Sequence, residues 1–506
     1  MLTQSAEILR KYTDNETFEK IVDYGTVPEM WKNVLANFGE NTAIMDEGTA
    51  YTYRQLEEDA SYIRGLLYEE GIEKKSLIGI YAPNSYDFVK AYIAVVTSGF
   101  GAVILPPQLD EKTVYGCTLK FGLKGLLYHP AFEEKVGLTK KLSPDLFTAL
   151  TSEKGANAAP ADENTGEEDP CVVMFTGGTT GKSKGALLPH RAVLQGTVNG
   201  CYGYHDVFCQ RYLLVLPLSH VFGLIRNLMT SLYTGSTLYI CRNNKDMFRD
   251  IAVFKPTILV MVPALLEMCL NLSGKFGKNM LGPDMKYIIC GAAIVPPYLI
   301  AEYRKFGITV FPGYGLTESA NLVSGNPECV EKPDSVGLPY PNQEFRIENG
   351  ELWLKGRNMM TSYIGEDNEA AYEDGWFKTG DLVRLDEEGF LYITGRIKEI
   401  IVLPTGENIS PAEVEQKFNE LACIQDCQVF EDVTESGSHI LALEAVPRMT
   451  ELTGVAPENI GAYVTEKLNE VNASLPSYQR VSRIVIRDTD FERTPSMKIV
   501  RYKKCN

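Results

Sequence analysis

Along the first third of the chain, apolar residues recur alternately at helical and at strand-like spacing. Thr52 and Gln55 have the spacing of an N-terminal capping box, and the apolar positions that follow keep a helical period until Gly71. The run 76–81 is short and apolar, which is typical of a buried strand. The same order of helix and strand recurs at 88–105 and 253–262. This alternation predicts an α/β fold with layered, largely parallel sheets.

The pattern changes after residue 340, where short segments alternate between apolar and polar positions. The segments 351–355 and 390–394 are of this kind and predict antiparallel strands. Further on, Ser410 and Pro411 predict the start of a helix, with Ser410 as its cap and Pro411 in its first turn. We therefore expect a chain that is α+β overall, with a small antiparallel region after the parallel sheets.

The length of the chain also argues for more than one domain. At roughly 100–200 residues per domain, 506 residues predict two to four folding units. Residues 153–169 are polar, acidic and without periodicity, which indicates a surface connector. The charged segment 395–399 follows the last alternating segment, and we place a hinge there. The predicted division is a large N-terminal domain at 1–396 and a small mobile α+β domain at 397–506.

Composition and charge exclude several classes of protein. Lys and Arg total 49 against 66 Asp and Glu, a net charge of −17 that argues against a nucleic-acid or anionic-membrane surface. The eleven cysteines form no CxxC and the five histidines no HExxH, which argues against structural zinc and for reduced thiols. The N-terminus lacks a signal-peptide pattern, and the longest uncharged stretch, 91–109, is broken by glycines and prolines. We expect a cytoplasmic protein without an integral membrane segment.

The segment most informative about chemistry is the glycine-rich loop 176–185, TGGTTGKSKG, directly after a predicted strand. It contains four glycines, three threonines, one serine and two lysines, and no acid. Glycines let backbone N–H groups approach an anion, hydroxyls donate hydrogen bonds and lysines neutralise charge, so the loop predicts polyphosphate binding. It is not a Walker A loop, GxxxxGKS/T, because Thr176 stands at the first glycine position. A flexible surface loop is the alternative interpretation.

The loop resembles the phosphate loop of the adenylate-forming superfamily, which contains acyl-CoA synthetases, peptide adenylation domains and luciferases. Further motifs follow in the family's order. Residues 313–319 (GYGLTES) resemble its central motif, 376–382 (WFKTGDL) its ribose motif, 395–398 (GRIK) its hinge and 495–498 (PSMK) the site of its C-terminal lysine. One such motif would be weak evidence, whereas the ordered set over residues 171–501 is specific.

The resemblance implies how ATP or AMP would be held. Asp381 would accept hydrogen bonds from both ribose hydroxyls, and Arg396 would contact ribose or phosphate oxygens. Taken alone, an Asp after Thr-Gly is more often a turn residue. The other implied nucleotide-binding residues come from the loop and the central motif: Thr176, Gly177, Gly178, Thr179, Thr180, Gly181, Lys184, Gly313, Tyr314 and Gly315.

The resemblance also implies which residues act on the reacting groups. Thr317 would hydrogen-bond a phosphate, and Glu318 would supply an oxygen ligand for Mg²⁺ on ATP. Lys498 would stabilise the charge that develops between the α-phosphate and the carboxylate. Without the family, Glu318 would be an exposed loop acid and Lys498 a solvated charge. The sequence departs from the family at Gly177 and Ser183, where Ser and Pro are common, and at Met497, where Gly is usual.

Two further segments favour an acyl-CoA synthetase within the superfamily. Residues 216–223 (LPLSHVFG) resemble the segment where acyl-CoA synthetases place a gating histidine, here His220, near the acid. Peptide adenylation domains usually have an FDxS segment there. A hydrogen-bonded core histidine is an equally good interpretation of His220 from the residues alone. Residues 406–411 (GENISP) resemble the segment whose glycine, here Gly406, lines the CoA tunnel. The resemblance also implies that Lys398 lies at the hinge between the two domains.

We therefore hypothesise an acid–CoA ligase that uses ATP, Mg²⁺ and CoA. The substrate would be a small-molecule carboxylic acid, fatty or aryl, activated as acyl-AMP before transfer to the thiol. A ligase that loads an external carrier protein shares the first step and is the alternative. A luciferase-like oxygenase and a non-catalytic nucleotide-binding scaffold are the remaining alternatives. A homodimer is neither indicated nor excluded, and no nucleic-acid partner is expected.

Overall fold

The computed structural model of the chain describes residues 7–142, 147–150, 157–176, 184–402, 408–434, 439–493 and 499–501. A π-helix spans Phe222–Met229. The α-helices are α1 Asn15–Lys20, α2 Val27–Phe38, α3 Tyr53–Glu69, α4 Tyr86–Val96, α5 Glu111–Phe121, α6 Gly137–Lys140, α7 His190–Asn199, α8 Thr230–Tyr233, α9 Met247–Phe254, α10 Pro263–Phe276, α11 Pro297–Lys305, α12 Pro411–Asn419 and α13 Ile460–Ser474.

Strands are spread over the whole described chain. They are β1 Thr42–Asp46, β2 Thr49–Thr52, β3 Leu77–Tyr81, β4 Gly101–Ile104, β5 Gly125–Tyr128, β6 Phe147–Ala149, β7 Pro170–Phe175, β8 Gly185–Pro189, β9 Arg211–Leu214, β10 Thr237–Ile240, β11 Ile258–Met261, β12 Tyr287–Cys290, β13 Thr309–Tyr314, β14 Ser324–Gly325, β15 Leu338–Pro339, β16 Gln343–Glu348, β17 Glu351–Gly356, β18 Ser362–Tyr363, β19 Tyr372–Glu373, β20 Trp376–Leu385, β21 Leu391–Arg396, β22 Ile401–Val402, β23 Asn408–Ile409, β24 Ile424–Val433, β25 His439–Pro447 and β26 Arg483–Ile486.

Two large, mainly parallel sheets dominate the N-terminal region. The nine-stranded sheet has the order β15-β14-β13-β12-β11-β9-β10-β1-β2, and the seven-stranded sheet has the order β18-β8-β7-β4-β3-β5-β6. Their central strand pairs are parallel, whereas pairs towards the edges, such as β7 with β8 and β13 with β14, are antiparallel. This confirms the α/β prediction from the alternation of helices and strands.

Local signals at the start of α3 act as predicted. The Thr52 side chain accepts a hydrogen bond from the backbone N–H of Gln55 at 3.1 Å. The Gln55 side chain in turn accepts from the backbone N–H of Thr52 at 2.8 Å. These two bonds satisfy N–H groups that a helix terminus leaves without intrahelical partners, and α3 then buries one face that includes Leu56 and Ala60.

A smaller antiparallel sheet follows the parallel ones, as the alternating segments predict. Its strands have the order β16-β17-β20-β19, and β21 pairs with the free part of β20. The pairing of β20 with β21 is antiparallel and places Asp381 directly opposite Arg396. This register brings together two residues that the sequence separates by a turn and most of two strands.

The region after residue 400 has its own hydrophobic core, built from residues between Ile409 and Val481. Side chains also connect it to the large region. The Arg448 guanidinium donates to the Glu267 carboxylate at 3.0 Å and lies 4.2 Å from the ring centre of Tyr298. The division at 396 and 397, and motion about it, remain predictions.

The start of α12 differs from the sequence-based prediction. The helix does begin at Pro411, but the Ser410 side chain makes no capping hydrogen bond. Its hydroxyl instead donates to the backbone carbonyl of Thr394 at 2.6 Å. The predicted cap is therefore wrong. The Ser410 hydroxyl bonds to a residue of β21 and not to the first turn of α12.

The described residues also provide observations on cysteines, metal ligands and long helices. Ten cysteines in that part of the chain are free thiols, and no group of three metal-ligating His, Cys, Asp or Glu side chains occurs there. None of its helices is both long and apolar enough to cross a membrane.

Candidate active site

The glycine-rich loop joins two antiparallel neighbours, β7 and β8. Residues 177–183 lie outside the described part of the chain, so the predicted contacts of Gly177, Gly178, Thr179, Thr180 and Gly181 remain predictions. The ends of the loop are described. The backbone N–H of Thr176 donates to the carbonyl of Lys184 at 2.9 Å, and the Thr176 hydroxyl accepts from the N–H of Lys184 at 3.4 Å. The loop therefore emerges from a closed hairpin base.

The central motif 313–319 turns sharply between the end of β13 and a short 3₁₀ turn at Thr317–Ser319. A Cβ on Gly315 would lie 1.1 Å from the carbonyl oxygen of Asn321, so only glycine fits there. Ser319 closes the turn, because its hydroxyl accepts from the backbone N–H of Leu316 at 3.0 Å. Thr317 is buried within this turn. The role of Gly315 in binding the nucleotide stays a prediction, and the structure gives a separate steric reason for glycine at this position, the close approach of residue 321.

Glu318 is held by a residue that sequence reasoning missed. The Tyr363 hydroxyl donates to Glu318 Oε1 at 2.5 Å, and burial together with this carboxylate raises the pKa of Tyr363. The backbone carbonyl of Glu318 accepts from the N–H of Met360 at 2.8 Å. Burial and the same carboxylate raise the pKa of Tyr372 to about 12. Glu318 is therefore an oriented carboxylate in a partly buried setting and not a freely exposed loop acid.

Tyr363 also connects Glu318 with the glycine-rich loop. The Lys184 ammonium lies 4.6 Å from the centre of the Tyr363 ring, a cation–π distance. Tyr363 belongs to β18, which pairs with β8 immediately after the loop. Lys184, a cation suited to phosphate, and Glu318, a carboxylate suited to Mg²⁺, thus contact the same tyrosine side chain. No signal in the sequence around 363 indicates this contact, because it depends on pairing between strands far apart in the chain.

The predicted ribose site is a cluster of three side chains around the buried carboxylate of Asp381. The Tyr314 hydroxyl donates to Asp381 Oδ2 at 2.5 Å, and Arg396 donates to both oxygens of the same carboxylate, from Nε to Oδ1 and from Nη2 to Oδ2 at 3.4 Å. Asp381 is 2% exposed. Burial alone would lower the pKa of Arg396, but the Asp381 carboxylate outweighs it, so the pKa is raised. Burial and Asp381 raise the pKa of Tyr314 as well.

His220 lies two residues before the π-helix. Its ring Nδ1 accepts from the backbone N–H of Phe222 at 3.3 Å, and the backbone N–H of His220 donates to the carbonyl of Pro217 at 3.1 Å. The ring of Phe222 lies against Gly291, where a Cβ would be 3.6 Å from the ring and 3.1 Å from the carbonyl oxygen of Gly313. His220 is therefore positioned by local hydrogen bonds next to a segment that reaches the central motif. Both interpretations of this histidine remain compatible with its contacts.

The predicted hinge residues follow β21 directly. Lys398 is exposed within a short 3₁₀ turn at Ile397–Glu399. A Cβ on Gly395 would lie 2.2 Å from the Ser410 hydroxyl, so the strand before the turn packs tightly on the start of α12. Gly406 and Lys498 lie outside the described residues, and their roles remain predictions.

Comparison with known proteins assigns the chain to a class. Residues 31–364 match the family of AMP-binding enzymes, and residues 398–505 match the AMP-binding enzyme C-terminal domain. The chain belongs to the AMP-binding enzyme family. This confirms the resemblance to adenylate-forming acyl-CoA synthetases and the expected fold.

Individual relatives are acid–CoA ligases. The chain is 26% identical over 475 residues to long-chain-fatty-acid–CoA ligase FadD15 of Mycobacterium bovis, covering 79% of this chain and 78% of that protein. It is 32% identical over 312 residues to indoleacetate–CoA ligase of Aromatoleum aromaticum, covering 58% and 61%. Among solved structures, o-succinylbenzoate CoA synthetase of Bacillus subtilis in complex with its acyl-adenylate is 26% identical, with a TM-score of 0.77 and coverage of 94% and 97%.

Proposed function

We propose that the protein activates a carboxylic acid with ATP and transfers the acyl group to CoA. The observation that carries the proposal is the convergence of three groups on one motif. Tyr314 of the motif bonds to Asp381, Glu318 of the same motif bonds to Tyr363, and Tyr363 lies beneath Lys184. In this proposal Asp381 is the ribose acceptor, Glu318 the metal-ligand carboxylate and Lys184 the phosphate-binding cation, and contacts through Tyr314 and Tyr363 link all three to the central motif.

In the first step, a carboxylate oxygen of the acid attacks the α-phosphorus of ATP. An acyl–phosphate bond forms, the bond to the β-phosphate oxygen breaks, and pyrophosphate leaves. Asp381 would hold the ribose, while Thr317 and Lys184 would bind phosphate oxygens. Glu318 fits Mg²⁺ because it offers oriented carboxylate oxygens beside the phosphate-binding residues, and the ion would neutralise phosphate charge there. Lys498 would stabilise the charge that develops at the reacting oxygens.

In the second step, the CoA thiol attacks the carbonyl carbon of the acyl-adenylate. A carbon–sulfur bond forms, the thiol loses its proton, and AMP leaves as the carbon–oxygen bond breaks. We assign the hinge to Lys398 and its neighbours, so that rotation of 397–506 would withdraw Lys498 and bring Gly406 to the active site. His220 would lie beside the acid. The tight packing of Gly395 on Ser410 supports a defined pivot at this point.

The acid is a fatty or an aryl acid in this proposal, since both kinds occur among the named substrates of the relatives. A carrier protein in place of CoA is the second candidate acceptor. The relatives named as CoA ligases favour CoA. We place the reaction in the cytoplasm, consistent with the unpatterned cysteines of the chain.

The proposal is tested by acid-dependent exchange of pyrophosphate into ATP over a broad panel of acids. We expect exchange with at least one acid and none without acid. The acids that support exchange are then incubated with CoA or with a phosphopantetheinylated carrier protein, and the thioester is detected by mass. Thioester formed with the carrier protein alone would overturn CoA as the acceptor, and the absence of exchange with every acid would overturn the proposal itself.

A further inference from the structure

The π-helix Phe222–Met229 buries an arginine that has no ion-pair partner among the described residues. Arg226 is 1% exposed, and its Nε and Nη1 atoms have no hydrogen-bond partner there. The groups that face its guanidinium are the phenols of Tyr204, Tyr212 and Tyr340, with the Tyr204 ring centre at 5.4 Å. The Tyr212 hydroxyl is the side-chain hydrogen-bond partner of this guanidinium, and it has no other partner among the described residues. A cation therefore lies in the core beside a phenol and without a carboxylate.

A second buried arginine shows how the same fold treats a purely structural cation. Arg64 is fully buried, and its guanidinium is bonded to the Glu57 carboxylate, to the Thr97 hydroxyl at 2.9 Å and to the Ala159 carbonyl at 2.9 Å. Desolvating a charge is costly, and such charges are normally paired and hydrogen-bonded. The tyrosine ring near Arg226 offsets only part of this cost. The described residues supply no counter-anion for Arg226. An anion from a ligand would therefore reduce the free-energy cost of burying this charge.

Neighbouring residues connect Arg226 with the central motif 313–319. It lies four residues after Phe222, close to one turn of a π-helix, and Phe222 packs against Gly291 next to the carbonyl of Gly313. On the other side, the Tyr340 hydroxyl lies against Gly325, which pairs with Gly313 in the sheet. Two independent paths thus lead from the arginine to the start of the central motif.

We propose that Arg226 binds a second carboxylate of the substrate, at the end of the molecule remote from the carboxylate that is activated. The substrate class is then a dicarboxylic acid, with Tyr212 as a second hydrogen-bond donor to the remote group. Guanidinium groups bind carboxylates through parallel hydrogen bonds, which gives geometric selectivity. This inference rests on the proposed acid activation and names the acid that the same site takes.

The wild-type protein alone provides the first test. Pyrophosphate exchange is measured with α,ω-dicarboxylic acids from succinic to sebacic acid and with the monomethyl ester of each. Each pair has the same chain and differs only in the remote charge. We expect kcat/KM for at least one diacid to exceed that of its ester by about a hundredfold or more, because the ester leaves a buried charge unpaired. Equal or better use of every ester would overturn the inference.

The second test is the variant Arg226→Met, which keeps an apolar chain of similar length and removes the charge. We expect the preference to reverse, with the ester used better than the diacid, and Arg226→Lys to restore part of the diacid activity. Thermal unfolding of both variants monitors folding. Unchanged diacid preference in folded Arg226→Met would overturn the role of Arg226. If monoacids support exchange but no diacid does, the inference fails while the proposed function stands; if no acid supports exchange, the proposed function itself fails.

Discussion

Arg396 and Asp381 lie opposite each other on antiparallel strands, and the guanidinium of Arg396 donates to both oxygens of the Asp381 carboxylate. Tyr314 donates to the same carboxylate. The carboxylate that we propose as the ribose acceptor is thus held in place by the protein itself. Preorganisation of this kind reduces the entropy lost when a ligand is bound.

Asp381→Asn tests the role of this carboxylate. The amide keeps the shape of the side chain but removes the charge that Arg396 and the ribose hydroxyls would share. We expect KM for ATP to rise by about tenfold to a hundredfold, since hydrogen bonds to charged groups contribute about 1.5–3 kcal/mol. Asp386→Asn is the matched control, because its carboxylate pairs with Lys332 at 2.6 Å outside the cluster. A KM for ATP that stays at the wild-type value would contradict the assignment.

The cluster of Tyr314, Asp381 and Arg396 also shows what can be predicted from the sequence alone. Asp381, Arg396 and Tyr314 were each named from their motifs, but their mutual contacts depend on the register of β20 and β21 and on the packing of β13, which no local pattern encodes. Tyr363 carried no signal for the same reason.

The two predicted helix caps show where prediction from local sequence succeeds and where it fails. The Thr52 cap follows from residues three apart and was predicted correctly, whereas the Ser410 hydroxyl is taken by a distant carbonyl. The sequence does not indicate Arg226 as a site residue, because the burial of its charge depends on how the π-helix packs.

Tyr363→Phe tests whether the phenol orients Glu318 for Mg²⁺. The ring below Lys184 remains, and only the hydrogen bond to the carboxylate is lost. We expect the Mg²⁺ concentration needed for half-maximal exchange to rise by about fivefold, corresponding to roughly 1 kcal/mol for one hydrogen bond. Tyr392→Phe removes a hydroxyl that donates to Asp386 at 3.3 Å and serves as the control. Identical Mg²⁺ titrations for wild type and Tyr363→Phe would rule the orienting role out.

Gly315→Ala tests the steric demand of the central motif. The added methyl group would overlap the carbonyl oxygen of Asn321, so the turn at Thr317–Ser319 must shift. We expect the free energy of unfolding to fall by about 2 kcal/mol or more and exchange activity to be lost. Gly116→Ala is the control, since a Cβ there meets open space within α5 and should stabilise the helix by about 0.5–1 kcal/mol. Wild-type stability and activity in Gly315→Ala would refute this account of the turn.

His190 predicts a pH dependence of stability. It is fully buried at the start of α7, and its Nδ1 accepts from the backbone N–H of Val27 at 3.2 Å. Burial lowers the pKa of His190 from 6.5 to about 4, although Asp169 opposes the shift. The unfolded chain therefore binds the proton first, and this contribution to stability is lost as pH falls from 6.5 towards 4.

The variant His190→Gln, whose carbonyl can accept from Val27, isolates that contribution. Urea unfolding is measured for both proteins between about pH 7 and about pH 4. We expect the wild type to lose about 3 kcal/mol relative to the variant across this window, from about 1.4 kcal/mol per pKa unit. Parallel stability profiles for the two proteins would show that His190 does not titrate in this way.

Lys498→Ala tests the division of roles between the two steps. We expect pyrophosphate exchange to fall by about a hundredfold or more, because the cation would act on charge that develops during adenylation. Thioester formation from a synthetic acyl-adenylate and CoA should be retained. Unchanged acyl-adenylate formation together with failed thioester formation would reverse the assignment.

The most direct test of the central claim is the stoichiometry of products in one reaction with ATP, CoA and an acid that supports exchange. The account predicts AMP, pyrophosphate and acyl-CoA in equal amounts, with acyl-AMP accumulating when CoA is withheld. Formation of ADP and phosphate, or of acyl-CoA without AMP, would contradict it.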